Sequence, residues 1–358
     1  MHNIKYLLKL FERYLTKKIL DKKRSKNILD INKVKSILFF RDDDKIGDMT
    51  VSTLLFREIK KKYPNIDIVV VCGTNSKEII KYNKNVDQIY EIGNNFFTDI
   101  LIFIKLRRQK ITLGIDFYTF NLRFRHLLML RLISSEILIG FHKNSYNIYD
   151  LSIDVDFFST HISKKYEYLL KVLKIETPDL KYDIVLSPKE KNQAVEFVNK
   201  CNAKYRIILN PFAASKHRSF DFTKLKRLVK ILEDKADCCL FVLCPVRSKK
   251  KMKFLETEKT VLVSFKSVLE VAALIKYSSA VITPDTSIVH IASAFQKKTV
   301  ALYLDYSYSD EKINVIWGAN NPNAIQLSVD TKKMNCENDV NRIPTTDIIV
   351  ALRKLLSI

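Results

Sequence analysis

Glycine is scarce in this 358-residue chain, with only six in all. Any glycine-rich phosphate loop must therefore be short. Neither GxGxxG nor GxxxxGK[ST] occurs, which removes simple dinucleotide-binding and ATP-motor readings. Cysteine is as scarce: Cys72, Cys201, Cys238, Cys239, Cys244 and Cys336 form no CxxC and have no histidine at zinc spacing. Three of them lie in or beside the apolar run CCLFVLC, so mostly buried, reduced thiols of a cytosolic protein are expected. No apolar run approaches the roughly 20 residues that span a bilayer. Basic residues interrupt the N-terminal apolar positions from Lys5 onward, unlike a signal peptide. Acid is also deficient: Lys+Arg 61 against Asp+Glu 39 leaves a net charge of +22.

What is present is globular. A hydrophobic content of 47% and 11% aromatics excludes general disorder, and the length suits two domains rather than one core. The positive charge fits nucleic acid, an anionic membrane or a polyanionic substrate, and composition bias also contributes. No RRM, KH or zinc-finger pattern accompanies it, so a nucleic-acid partner is not expected.

Between residues 4 and 20, Ile4, Leu7, Leu8, Phe11, Leu15 and Ile19 share one helical face, with lysines and arginines around them. That pattern fits an interfacial membrane helix, and equally a helix packed on the protein's own surface. Short apolar strands then alternate with amphipathic helices, which predicts a parallel sheet with crossover helices. Thr177-Pro178-Asp179 breaks the series, and the same alternation resumes beyond Pro188. The expected organisation is a basic N-terminal extension (1–32), an N-terminal Rossmann-like α/β domain (33–178) and a C-terminal one (179–358), facing a central cleft. One closing helix is expected over 346–356.

Three loops fall where strands give way to helices, at the carboxyl edge where open α/β sheets bind ligands. The first is Arg41-Asp42-Asp43-Asp44-Lys45-Ile46-Gly47-Asp48. Gly47 permits close backbone approach, and Asp48 is either a base for a substrate hydroxyl or a helix N-cap. Asp42 and Asp44 form a DxD that holds a metal elsewhere, but Arg41 and Lys45 neutralise the pair equally well. The second runs from Asn210 to Phe220, where Ser215, Lys216, His217 and Arg218 suit a phosphate or form an ordinary solvated loop. The third, Thr283-Pro284-Asp285-Thr286-Ser287-Ile288-Val289-His290, opens a helix. The free amides of Thr286, Ser287 and Ile288 there make an anion site, or Asp285 simply caps a core helix containing a satisfied histidine.

These residues resemble the ADP-heptose–lipopolysaccharide heptosyltransferases, the family-nine glycosyltransferases of GT-B fold. The likeness runs from about Val34 onward. Arg41 with Ile46-Gly47-Asp48 resembles the opening motif, Ile115-Asp116 through Arg123 to Ile139-Gly140-Phe141 the middle block, and Asp285-Thr286-Ser287 through His290 the D-T-G-x-x-H signature. Ser287 replaces the usual glycine, and Arg218-Ser219-Phe220 replaces the more common Trp-Pro.

The resemblance implies an inverting, metal-free and cofactor-free transfer from a nucleotide sugar, ADP-heptose, to a hydroxyl of the acidic lipopolysaccharide core. It implies Asp48 as general base. Lys216 with the amides of Thr286 and Ser287 would meet the leaving diphosphate, and Asp285 and His290 would hold the donor. Gly47 and Ser215 complete the donor site. Arg123, Arg125 and Lys143 are the candidates for acceptor anions. The basic N-terminal helix would hold the enzyme peripherally at the inner face of the cytoplasmic membrane. Another nucleotide sugar, a protein acceptor and a basic nucleic-acid-binding protein remain as alternatives.

Overall fold

The computed structural model describes residues 14, 16–22, 27–93, 95–118, 122–155, 159–235, 237–306, 312–334 and 337–358. Ile4, Leu7, Leu8, Phe11 and Leu15 of the expected N-terminal apolar face, and Cys336, lie outside them.

Two six-stranded, fully parallel sheets carry the fold. Sheet 1 comprises β1 (Ser36–Arg41), β2 (Asp67–Cys72), β3 (Gln88–Glu91), β4 (Leu113–Asp116), β5 (Ile137–Phe141) and β6 (Leu151–Ile153), in the order β3-β2-β1-β4-β5-β6. Sheet 2 comprises β7 (Tyr205–Leu209), β8 (Cys238–Leu243), β9 (Thr260–Val263), β10 (Ala280–Pro284), β11 (Lys298–Tyr303) and β12 (Ala324–Ser328), in the order β12-β11-β10-β7-β8-β9. Counted within each half, the two orders are the same. Each sheet reverses direction once, between β1 and β4 and between β7 and β10. A doubly wound sheet opens a crevice at such a point.

The helices of the first half are α1 (Ile46–Lys62), α2 (Thr74–Ile80), α3 (Phe96–Arg108), α4 (Phe124–Ile133) and α5 (Ile162–Val172). The second half carries α6 (Pro188–Asn199), α7 (Phe222–Lys235), α8 (Val246–Met252), α9 (Val268–Tyr277), α10 (Ser287–Ala294) and α11 (Thr345–Leu356). The expected alternation is present; α8, β6 and β12 are additions to it. Helix α1 begins three residues before the sequence pattern indicated, because Ile46, Gly47 and Asp48 form its first turn. Asp48 is thus not the N-cap; that position is Lys45, which makes no side-chain cap bond. Helix α3 opens at the apolar Phe96 because the Asn95 side chain caps it, accepting from the amides of Phe97 and Thr98.

Strand alternation divides the cores. Ile37 and Phe39 point toward α1, whereas Leu38 and Phe40 join Phe103, Leu106, Leu127 and Met129 of α3 and α4 on the other face. Both faces are covered, which explains why Ser36-Ile37-Leu38-Phe39-Phe40 reads as a continuous apolar run. The cluster holding Phe39 and Leu54 continues through Ile208, Val281 and Ile291, so the two halves share one apolar core. Arg57 of α1 binds the connecting segment through Asp183, 2.8 Å away, and the carbonyl of Asp179.

The thiol expectation holds for Cys72, Cys238 and Cys244, which are buried and unbonded. It fails for Cys201 and Cys239, which form a disulfide with Cα atoms 6.4 Å apart. Cys239 alternates with Cys238 along β8 and so faces the core that Cys201 enters after α6, while Cys238 faces the other way.

Phe39 is fully buried, edge-to-face with Phe56 at 5.0 Å and stacked on Phe117 at 6.0 Å. Phe39→Ala should lower unfolding free energy by about 3–5 kcal/mol in urea denaturation, the usual cost of an aromatic-to-alanine cavity.

Candidate active site

Arg41 closes β1 and is buried, although a guanidinium keeps its charge. Its partners converge from three elements. Asp43 lies 2.9 Å away and Asp48 of α1 3.4 Å, while Ser52 Oγ and Tyr166 OH of α5 accept at 2.9 and 2.8 Å. The guanidinium also stands 4.8 Å over the Phe117 ring. Asp48 is buried beside Arg41 and Lys45. Burial, reinforced by the neighbouring Asp43 charge and opposed by Arg41, pushes its carboxyl up to about 6. A base poised there is ionised near neutrality yet keeps useful basicity.

A second buried charge network lies beside the first. Asp116, at the end of β4, accepts from Tyr149 OH at 2.5 Å and stands 3.1 Å from His126 Nε2. His126 Nδ1 lies 3.1 Å from Asp42. Burial opposes charge on this imidazole, but Asp116 and Asp42 outweigh it and raise it to about 9. Lys165 packs over the Phe141 ring at 4.0 Å, and burial, with Arg41 nearby, pushes it down to about 7. Asp42 is thus directed to His126, whereas Asp44 accepts from the Ser76 amide at 2.9 Å, so the two DxD carboxylates diverge.

The second and third loops meet in the other half. Asn210 Nδ2 donates to Thr283 Oγ1 at 3.0 Å and Thr286 Oγ1 at 3.2 Å, tying β7 to the start of α10. Arg218 donates to Asp285 at 3.0 Å and reaches Ser215 Oγ at 3.3 Å. Lys216 is exposed in the same 3-10 turn, leaving its ammonium to solvent. Thr286, not Asp285, caps α10; its Oγ1 accepts from the Ile288 amide. His290 is buried next to the Tyr182 and Trp317 rings, and burial drives its pKa down to about 3, so it is neutral. Its Nδ1 is buried without a hydrogen-bond partner among the described residues.

The two halves touch at Gly47. A Cβ on this residue would sit 2.9 Å from His290 Cδ2 and 3.6 Å from the Ser287 Cα. The first turn of α1, carrying Asp48, therefore abuts the first turn of α10, and all three loops converge. Residues 105–346 match glycosyltransferase family 9 (heptosyltransferase), two thirds of the chain. The chain belongs to glycosyltransferase family 9.

Among known proteins, this family-9 glycosyltransferase is 25% identical over 328 residues to the putative lipopolysaccharide heptosyltransferase 4 of Escherichia coli K12, covering 88% of each chain. The glycosyl transferase family 9 structure from Veillonella parvula superposes with TM-score 0.75 at 17% identity, covering 93% of this chain and 99% of that one. Escherichia coli ADP-heptose lps heptosyltransferase II gives TM-score 0.72 at 16% identity, covering 90% and 98%. Escherichia coli heptosyltransferase WaaC with ADP gives 0.67 at 12%, covering 89% and 99%. The fold is thus the GT-B arrangement of two Rossmann-like domains.

The acceptor candidates separate. Arg125 is joined to Asp99 at 2.5 Å and to the Gly93 carbonyl at 3.0 Å. Lys143 is buried, with its nitrogen 5.8 Å from the centroids of the Tyr118 and Tyr146 rings. Arg123, at the N-cap of α4, is exposed. The sequence alone does not single out Lys165, His126 or Tyr166. Their only signal was membership of amphipathic helices, where a buried lysine looks like any other.

In family 9, two outcomes test this geometry. Because the folded His126 titrates near 9 rather than 6.5, its stabilisation is complete below pH 6.5 and lost as pH rises through 9. Thermal melts should show up to about 3 kcal/mol lost over that window in wild type, and none of this loss in His126→Asn. Gly47→Ala should force His290 and α1 apart and reduce kcat/KM by about tenfold or more, while overpacking lowers stability by only about 1–3 kcal/mol and the fold, followed by circular dichroism, is kept.

Proposed function

We propose that this glycosyltransferase moves heptose from ADP-heptose to a hydroxyl of the acidic inner core of lipopolysaccharide, with inversion at the anomeric carbon. The observation that carries the reading is the buried Asp48 carboxylate, shifted to about 6, in a turn packed through Gly47 against the first turn of α10. Asp48 takes the proton of the acceptor hydroxyl, whose oxygen attacks the anomeric carbon as the bond to the diphosphate breaks. Lys216, Arg218 and the α10 amides meet the charge that builds on the leaving group. The neutral His290, its Nδ1 lacking a partner among the described residues, is suited to a polar group of the donor. Asp285 holds Arg218 in place.

The relatives support the sugar and acceptor assignment: a putative lipopolysaccharide heptosyltransferase 4, an ADP-heptose lps heptosyltransferase II and a heptosyltransferase WaaC with ADP. Arg123 supplies an exposed cation on the acceptor side, matching a phosphorylated, acidic core, and Lys143 is the buried second candidate. The reading places the enzyme on the cytoplasmic side, in peripheral contact with the membrane that carries its acceptor. Among the described residues no helix is long and apolar enough to cross a membrane.

Asp48→Asn should leave ADP-heptose binding intact by calorimetry while lowering kcat by about 10²–10⁴. In wild type the rate should climb as pH rises through about 6, because the base must lose its proton. Lys216→Ala should weaken donor binding instead. Preference for a UDP-sugar would overturn the donor, heptosylation of a protein would overturn the acceptor, and an unchanged rate in Asp48→Asn would overturn the base.

A further inference from the structure

The outer face of α3 has no role in the chemistry above, yet its composition is unusual for solvent. Phe97 is 78% exposed, Leu101 66% and Ile104 37%. At 100° per residue, Leu101 and Ile104 fall within about 40° of Phe97, forming one stripe along the helix. Lys105 lies about 80° to one side of that stripe and Arg107 about 80° to the other, with Arg108 at its end. The acid of this helix is turned inward: Asp99 is buried and holds Arg125. Helix α4 packs alongside and adds exposed Arg123 and Phe124 at its first turn. On the same side of sheet 1, the helical turn 16–20 sends Leu20 toward the core cluster while Ile19 stays 54% exposed beside Lys18.

We propose that this face of α3, with the first turn of α4, is an interfacial docking surface for a bilayer rich in anionic phospholipid. An apolar stripe flanked on both sides by cations is the pattern of a helix lying in the headgroup plane. The side chains enter the acyl boundary and the cations meet lipid phosphates. The charge complementarity favours an anionic bilayer over a second copy of this equally basic chain. Placement agrees: α4 carries Phe124 on the outside and, two residues on, His126 against Asp42 and Asp116 beside the base. Lipid contact and acceptor side are thus built on one helix. Membrane contact then rests on described residues of the N-terminal half, independently of residues 4–11.

The competing surface is α8, where Arg247, Lys249, Lys250 and Lys251 accompany exposed Val246 and Phe254. Val246 is the one exposed apolar residue on that seven-residue helix itself; Phe254 lies beyond its end, edge-to-face with Phe222 at 5.9 Å, so no continuous apolar stripe forms along it.

The test is vesicle co-sedimentation of the full chain. Vesicles of phosphatidylcholine alone would be compared with vesicles enriched in phosphatidylglycerol. Wild type should sediment with the anionic vesicles only. Phe97→Ser/Leu101→Ser/Ile104→Ser should reduce partitioning at least tenfold. Lys105→Gln/Arg107→Gln/Arg108→Gln should abolish the preference for phosphatidylglycerol, with circular dichroism and melting temperature unchanged in both. Val246→Ser/Phe254→Ser should sediment as wild type. The proposal is overturned if wild type ignores anionic vesicles, if neither α3 variant changes partitioning, or if the α8 variant alone loses binding. It also fails if the apolar variant instead converts a dimer to a monomer in gel filtration without altering sedimentation.

Discussion

A guanidinium buried at the end of a strand is the constraint on which the N-terminal half depends. Removing Arg41 from water costs several kcal/mol unless its donors are met. The two terminal nitrogens are met by residues from β1's own loop, from α1 and from α5, so these three elements must assemble around it, while Nε is buried without a partner among the described residues. The same contacts hold Asp48 in the first turn of α1 rather than at its cap. Ser52 Oγ, which accepts from Arg41, donates to the Asp48 carbonyl at 2.8 Å, so the backbone of that turn belongs to the network as well. Burial, with the Asp43 charge beside it, then raises the carboxyl. A structural requirement of the strand end and the ionisation of Asp48, the proposed base, are one piece of physics.

The duplicated strand order gives this local arrangement its reach. Each sheet opens a crevice where its winding reverses, and each crevice is lined by loops that leave carboxyl ends of adjacent strands. In the first half these are the loops after β1 and β4, bearing Arg41 to Lys45 and Asp116. In the second they follow β7 and β10, linked by Asn210 to Thr283 and Thr286. Helices α1 and α10 share one continuous core, which brings the two openings into register at Gly47. A side chain larger than hydrogen at that point would push the turn carrying Asp48 away from the start of α10.

Much of this was legible in the residues. Apolar runs such as Ser36 to Phe40 and Cys238 to Cys244 are too short for helices and too continuous for a half-exposed sheet, so they mark buried parallel strands. The three loops were found because strand-to-helix transitions are marked by polar residues with glycine or proline. Helix starts were less legible: Ile46 and Phe96 are apolar residues that open helices, and a hydrophobic pattern places the start further in. Strand β12 escaped because its residues are partly exposed at the sheet edge, and β6 because it is three residues long. The fates of charged side chains were not legible at all. Nothing in the spacing says that Arg125 pairs with Asp99, that Lys165 is buried, or that Asp42 and Asp44 turn to different partners. These outcomes depend on which helices meet across the sheet.

That partition of charge also explains how a basic composition becomes a basic surface. Carboxylates of the first half are drawn inward or matched locally: Asp43 and Asp48 by Arg41, Asp42 and Asp116 by His126, Asp99 by Arg125, and Asp44 by Ser76. Each acid held inside leaves fewer outside to offset exposed cations such as Lys105, Arg107, Arg108 and Arg123. Exposed charges act over about 8 Å at physiological ionic strength, so it is their local arrangement, not the sum of +22, that a partner senses. The buried acid networks decide which cations present an uncompensated field, and they leave such a field along α3 and the start of α4.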